Sequence, residues 1–124
     1  MATFKSYRDL EVWQRSMTLA KRIYQITRNF PSDERFGLTN QLRRASVSVP
    51  SNLAEGQAPF GPGEFARFIS IAMGSVAEIE TQLLLSADLG YVGSEASSQL
   101  LAELETTGKM LRGLAKSIAR RRNV

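Results

Sequence analysis

The chain contains no cysteine and no histidine. Without cysteine there is neither a disulfide framework nor a thiolate metal site. Without histidine the Glu-x-x-His ligands of di-iron helix bundles cannot be built, and histidine-based triads and zinc centres are excluded with them. No long apolar run is free of charge: the most apolar stretch, residues 65–91, carries Arg67, Glu78, Glu80 and Asp88. That pattern argues against a membrane span, and the first residues lack the apolar core of a signal peptide. A cytoplasmic protein is the expectation. Phosphate-binding glycine motifs are missing as well, since GPGEF at 61–65 has neither the lysine nor the preceding strand such a loop needs. Glu78 and Glu80 stand two apart, on different sides of a helix, and do not form a carboxylate pair. Together these absences predict a protein that is not an enzyme and takes no cofactor.

What remains is helical rhythm. In a chain of 124 residues, suited to one domain over 1–124, apolar side chains recur at steps of three and four in four segments and alternate nowhere. Helix 1, about 8–29, carries Leu10, Trp13, Met17, Ala20 and Tyr24 on one stripe and Val12, Leu19, Ile23 and Ile26 on a second. Phe30-Pro31 stops it, and Ser32 with Asp33 and Glu34 reads as the cap of helix 2, about 33–57. The seam of helix 2 is Leu38, Leu42, Ala45, Val49, Asn52 and Gly56. Two prolines and two glycines in APFGPG, residues 58–63, break the chain. Helix 3, about 63–89, has the seam Phe65, Ile69, Ala72, Val76, Ile79 and Leu83, with Phe68, Ile71, Met73, Leu84, Leu85 and Leu89 around the rest of its girth. Gly90 ends it. Helix 4 opens at Ser94-Glu95 with the seam Leu100, Leu104, Thr107, Leu111, Leu114 and Ile118. Short connections make neighbours antiparallel. The expected fold is all-α, an antiparallel up-down-up-down four-helix bundle.

Pro50 interrupts helix 2. An internal proline removes one hydrogen bond and costs about 3 kcal/mol, yet the seam keeps step on both sides of it. One helix kinked at Pro50 is expected. Around it lies a row of polar residues, read as a structural network: Arg43, Arg44, Ser48, Asn52 and Glu55, with Glu78 and Glu80 opposite. Folding helices 2 and 3 back about residues 60–61 sets Arg43 and Arg44 level with Glu78, and Gln41 level with Glu80. Asn52, placed on the seam, has to be hydrogen-bonded, because an unpartnered buried amide costs on the order of 2–7 kcal/mol.

Charge is unevenly laid out. The net charge is +4, but residues 109–122 hold Lys109, Arg112, Lys116, Arg120, Arg121 and Arg122 and no acid, whereas 78–105 hold only acids. Such a basic end suits RNA or DNA phosphates; equally, cations near a helix C-terminus complement its dipole. Antiparallel packing brings Lys5, Arg8, Arg15 and Arg67 to the same end. Helices 1 and 3 are also more apolar than one bundle core requires, which predicts self-association.

Several blocks carry a resemblance: LEVWQ at 10–14, IYQIT at 23–27, ERFGL at 34–38, QLRRAS at 41–46, NLAEG at 52–56 and EFARFISIAMGSVAEIETQLLLSADLGY at 64–91. In order and spacing the chain resembles the bacterial four-helix-bundle family encoded by intervening sequences in large-subunit ribosomal RNA genes, a group related to the accessory variability determinants of diversity-generating retroelements. The resemblance implies a small non-enzymatic homo-oligomer, a pentamer by preference. Its implied partners are RNA or DNA and a protein such as a reverse transcriptase. One departure is QAPFGPG, residues 57–63, uncharged where relatives often carry a basic stretch.

Overall fold

The structure, a computed structural model, describes residues 6–57 and 61–122, with side chains as far as Arg120. Four α-helices make up the chain: α1 (Glu11–Thr27), α2 (Leu38–Gly56), α3 (Pro62–Asp88) and α4 (Ser94–Arg122), with short 3-10 turns at Tyr7–Asp9 and Ser32–Glu34. Among the described residues there is no strand.

Two helix starts differ from the expectation drawn from sequence. Helix 1 does not run from residue 8. The backbone of Leu10 is extended (φ −72°, ψ 124°), and α1 begins only after it. Leu10 is buried, so the break returns its side chain to the core. Helix 2 does not begin behind Ser32, which opens a 3-10 turn and makes no side-chain cap. Its first α-helical residue is Leu38, and the free N–H there is taken by the Glu34 carboxylate at 3.1 Å. An acceptor four residues upstream does the work assigned to the serine hydroxyl, satisfying an otherwise orphaned amide and placing negative charge at the helix N-terminus. Gly90 does close α3 in the left-handed conformation, at φ 80°, where glycine lacks the steric penalty of other residues.

The helices form a ring in sequence order: α1 packs on α2, α2 on α3, α3 on α4 and α4 on α1, with no close backbone approach between the diagonal pairs among the described residues. Between α2 and α3 the cross-links run in opposite numerical order. Gln82 donates to Gln41 Oε1 at 3.3 Å and the Ser48 and Ser75 hydroxyls are 2.8 Å apart, so late α3 meets early α2. Ile23, Leu42, Leu53, Ile69, Ile79, Leu83, Leu100, Leu104 and Leu111 are fully buried between them, each worth about 1.5–3 kcal/mol relative to exposure. The chain is α-helical on both sides of Pro50, which is itself buried.

One seam residue is corrected. Asn52 is half-buried and Leu53, beside it, is fully buried. A path from Val49 through Leu53 to Gly56 keeps the same steps of four and three as the path through Asn52, and burial favours the apolar side chain. α3 is long and apolar enough to cross a bilayer by length and composition. Part of its apolar surface packs inside the bundle, where Phe65, Ile69, Ala72, Val76, Ile79 and Leu83 are buried, whereas Ile71, Leu84 and Leu85 stay exposed.

Candidate functional site

The polar row on α2 divides into parts that face different neighbours. Asn52 Nδ2 donates to the Ser48 carbonyl at 2.7 Å and to Ser48 Oγ at 2.9 Å. Ser48 Oγ in turn meets Ser75 Oγ at 2.8 Å, carrying the network across to α3. Ser75 was invisible as a partner because the fold-back register places Met73 opposite Ser48; the true register is two residues further along. The same offset gives Gln41 its contact with Gln82 instead of Glu80.

Arg43 does not meet Glu78. Its Nε donates to Thr27 Oγ1 at 2.9 Å, and its guanidinium lies over the Tyr24 ring, 4.7 Å from the centroid. The side chain is thereby committed to α1, where a cation over an aromatic face is favourable. Arg44 and Glu78 line one shallow polar depression between α2 and α3, of about 410 Å³, together with Asn40, Gln41, Ser48 and Gln82. No ion pair joins the two among the described residues. Gln82 Oε1 is buried there without a hydrogen-bond partner among the described residues. Glu55 is exposed and Glu80 half-buried, and neither joins the Asn52–Ser48–Ser75 chain.

The basic end is more selective than its composition suggests. Arg15 pairs with Glu11 at 3.5 Å, and Arg67 takes both oxygens of Glu64, the nearest at 3.0 Å. That hydrogen bond holds the Glu64 carboxyl below the usual range and pushes the Arg67 guanidinium up. Arg8 lies over the Tyr7 ring. Lys109 has Glu105 one turn back, at 3.5 Å. Lys5 falls outside the described residues, as do residues 58–60 of QAPFGPG and the side chains of Arg121 and Arg122.

That leaves Arg112, Lys116 and Arg120, all exposed, with no carboxylate in ion-pair range among the described residues. With Lys109 they follow spacings of three, four and four, and so share one strip of α4. The strip is about 16 Å long at 1.5 Å per residue. Leu111 and Ile118 of the same helix are buried, so the strip points away from the core. A row of unpaired cations in water is suited to phosphate oxygens, which it can neutralise without reading bases.

A further concavity was not foreseen as a site. Trp13, Met17 and Tyr24 of α1 and Val47, Pro50 and Ala54 of α2 wall an open groove of about 560 Å³. Met17, Tyr24 and Val47 are 36%, 41% and 42% exposed in it. Tyr7 closes one end, its ring 5.3 Å from that of Trp13 in an edge arrangement. Lys21 and Arg28 stand at the rim, and among the described residues no carboxylate lines it. The first stripe of helix 1 was the signal for this groove. Its second stripe, Val12, Leu19 and Ile23, fills the core, leaving Trp13, Met17 and Tyr24 for another surface. Among the described residues no cluster of carboxylates is arranged to hold a metal ion.

A family model described as 23S rRNA-intervening sequence protein matches residues 8–113. Among solved structures, the crystal structure of a protein with unknown function from the S23 ribosomal protein family of Bacteroides thetaiotaomicron is similar, with a TM-score of 0.78. The two chains are 22% identical, and the likeness covers 85% of this chain and 95% of that one, which establishes a shared fold. No curated protein matches the sequence. The matched span takes in Lys109 and Arg112 and ends before Lys116 and Arg120.

Proposed function

Since this chain belongs to the 23S rRNA-intervening sequence protein family, we propose that it acts in the cytoplasm as a non-enzymatic, self-associating bundle that holds RNA or DNA through phosphate contacts on α4. The observation that carries the reading is the strip of Arg112, Lys116 and Arg120, exposed and free of carboxylate neighbours among the described residues. Each other basic residue at that end whose side chain is described has a carboxylate or an aromatic ring beside it. Association into a closed ring would gather several copies of the strip and raise the local positive potential well above that of one chain. Binding is then sequence-tolerant and salt-sensitive, because phosphate contacts release counterions and read no base edges. The lack of histidine and cysteine removes two of the commonest catalytic side chains and supports the non-enzymatic reading.

The test is titration of the full chain against two labelled oligonucleotides of unrelated sequence, one single-stranded RNA and one duplex DNA. Similar affinity for both at low salt, falling steeply as salt is added, is the expected result. Truncation after Ala119 lowers affinity and salt slope together while the bundle stays folded, since Ile118 is the last buried residue among those described. Absence of binding at low salt overturns the reading. The second reading is a protein-interaction scaffold without a nucleic-acid role, favoured by the exposed apolar residues Met17, Tyr24, Val47, Ile71, Leu84, Leu85 and Leu89.

A further inference from the structure

Two exposed apolar surfaces lie on different helices and differ in shape and charge. One is the concave groove between α1 and α2, with Lys21 and Arg28 at its rim and no carboxylate lining it among the described residues. The other is convex, at the end of α3. There Leu84, Leu85 and Leu89 are 51%, 48% and 51% exposed, with the exposed Asp88 among them. Leu85 and Leu89 are one helical turn apart, so they form a ridge along the helix.

We infer that the Leu85–Leu89 ridge of one copy seats in the α1–α2 groove of another, a head-to-tail contact between copies of this chain. The inference rests on the self-association proposed above and is independent of phosphate binding. Three observations select this occupant. A single apolar helix face laid into a cleft between two helices is a recurrent mode of recognition, and this chain carries both halves of it. The charges are complementary across the contact, with Asp88 brought toward Lys21 and Arg28. The two symmetric alternatives set like charge against like: groove on groove opposes the Lys21 and Arg28 rims, and ridge on ridge opposes Asp88 with its own copy. Such juxtaposition costs energy and steers association away from it.

A heterologous contact of this kind leaves each copy with one unused groove or ridge until a ring closes or a filament extends. The tryptophan and tyrosine of the groove also acquire a role. Trp13 and Tyr24 are the aromatic types that dominate binding energy at the centre of contacts. Neither surface includes a residue of α4, so the contact itself does not use the cationic strip.

A mixing experiment on the full chain distinguishes this contact from every symmetric one. Val47→Glu spoils the groove and spares the ridge; Leu85→Glu spoils the ridge and spares the groove. Both side chains are partly exposed on outer helix faces, and unchanged circular dichroism with a cooperative melt confirms that each variant is folded. Sedimentation of the wild type shows an oligomer larger than a monomer. Each variant alone is monomeric at concentrations where the wild type assembles, with association weakened roughly thirtyfold or more. An equimolar mixture forms a one-to-one dimer and stops there, because one good groove and one good ridge remain. A wild type that sediments as a 13.7 kDa monomer overturns both self-association and the contact. An oligomeric Leu85→Glu variant, an oligomeric Val47→Glu variant, or a mixture that stays monomeric overturns the contact alone.

Discussion

The seam between α2 and α3 and the seam between α1 and α4 are built differently. α2 and α3 approach so closely that a β-carbon on Gly56 would lie 2.6 Å from Phe68 Cβ and 3.1 Å from the Phe65 ring. Leu53, Ile69 and Ile79 are fully buried, and Ser48 and Ser75 share a hydroxyl bridge across the seam. α1 and α4 are held by Leu19, Ile23, Leu104 and Leu111 on the core side. Outside that layer Arg22 pairs with Glu103 and reaches Gln99 at 3.5 Å. A polar cleft of about 300 Å³, lined by Glu11, Gln14, Arg15, Thr18, Glu103 and Thr107, separates the helices further along. The difference teaches where the molecule keeps its free surface. Backbone approach is closest at the Gly56 end of the α2–α3 seam, whose other end opens into the depression around Arg44 and Glu78. The groove lies between α1 and α2 and the cationic strip on α4, outside that close contact.

Truncating the tight seam has the largest effect. Leu53→Ala removes a fully buried side chain, and we expect a loss of about 2–5 kcal/mol in denaturant unfolding. A loss under about 1 kcal/mol would mean that the seam relaxes around the cavity, and the contrast between the two seams would weaken. Next comes a pair of glycines. Gly56→Ala forces a methyl against Phe68 and is expected to destabilise by about 1–3 kcal/mol, despite alanine's better helix propensity. Gly74→Ala, on the outer face of α3 with nothing within 4 Å of the added carbon, should stabilise by up to about 1 kcal/mol. Equal effects at the two sites would contradict the close approach.

The loose seam responds less. Arg22→Ala removes a partly exposed pair and should cost about 1 kcal/mol or less, read from the same unfolding curves; a larger loss would make that pair a main support of α1. The smallest effect is a pH dependence at the far end of the bundle. The Tyr91 hydroxyl donates to Glu34 Oε2 at 3.1 Å, and the neighbouring carboxylate pushes the phenol pKa up. A raised folded-state value gives stability that is present below the ordinary tyrosine pKa, about 10, and is lost as pH rises through the higher folded value. Melting of wild type and Tyr91→Phe should therefore differ at neutral pH and converge in strongly alkaline solution. A gap that widens with pH would reverse the sign.

Much of the fold was legible because helix seams are local signals. Leu100, Leu104, Leu111 and Ile118, or Phe65, Ile69 and Ile79, announce a buried face by spacing alone. Helix starts were less legible. Ser32 followed by two acids satisfies the usual cap pattern, but the acceptor for α2 comes from Glu34, and only the folded turn shows which side chain reaches the free amide. Asn52 and Leu53 both satisfy the seam rule, and side-chain chemistry decides between them. Long-range partners were least legible. A register offset of two residues is enough to replace Met73 by Ser75, and the Arg22–Glu103 pair depends on how α1 and α4 are set against each other. The cationic strip was readable from spacing. Its selective exposure was not, because Glu11, Glu64 and Glu105 neutralise some cations and leave others.

The central claim, that Arg112, Lys116 and Arg120 are the phosphate-binding strip, is tested most directly by the salt dependence of RNA binding in the triple variant Arg112→Gln, Lys116→Gln, Arg120→Gln. None of the three has an ion-pair partner among the described residues, so the variant should melt like the wild type. Each phosphate contact contributes about −0.7 to the slope of log affinity against log salt for a single strand. The account predicts a slope shallower by about two units, with weaker binding to every sequence tested. An unchanged slope with unchanged affinity would contradict it and move the interface away from α4.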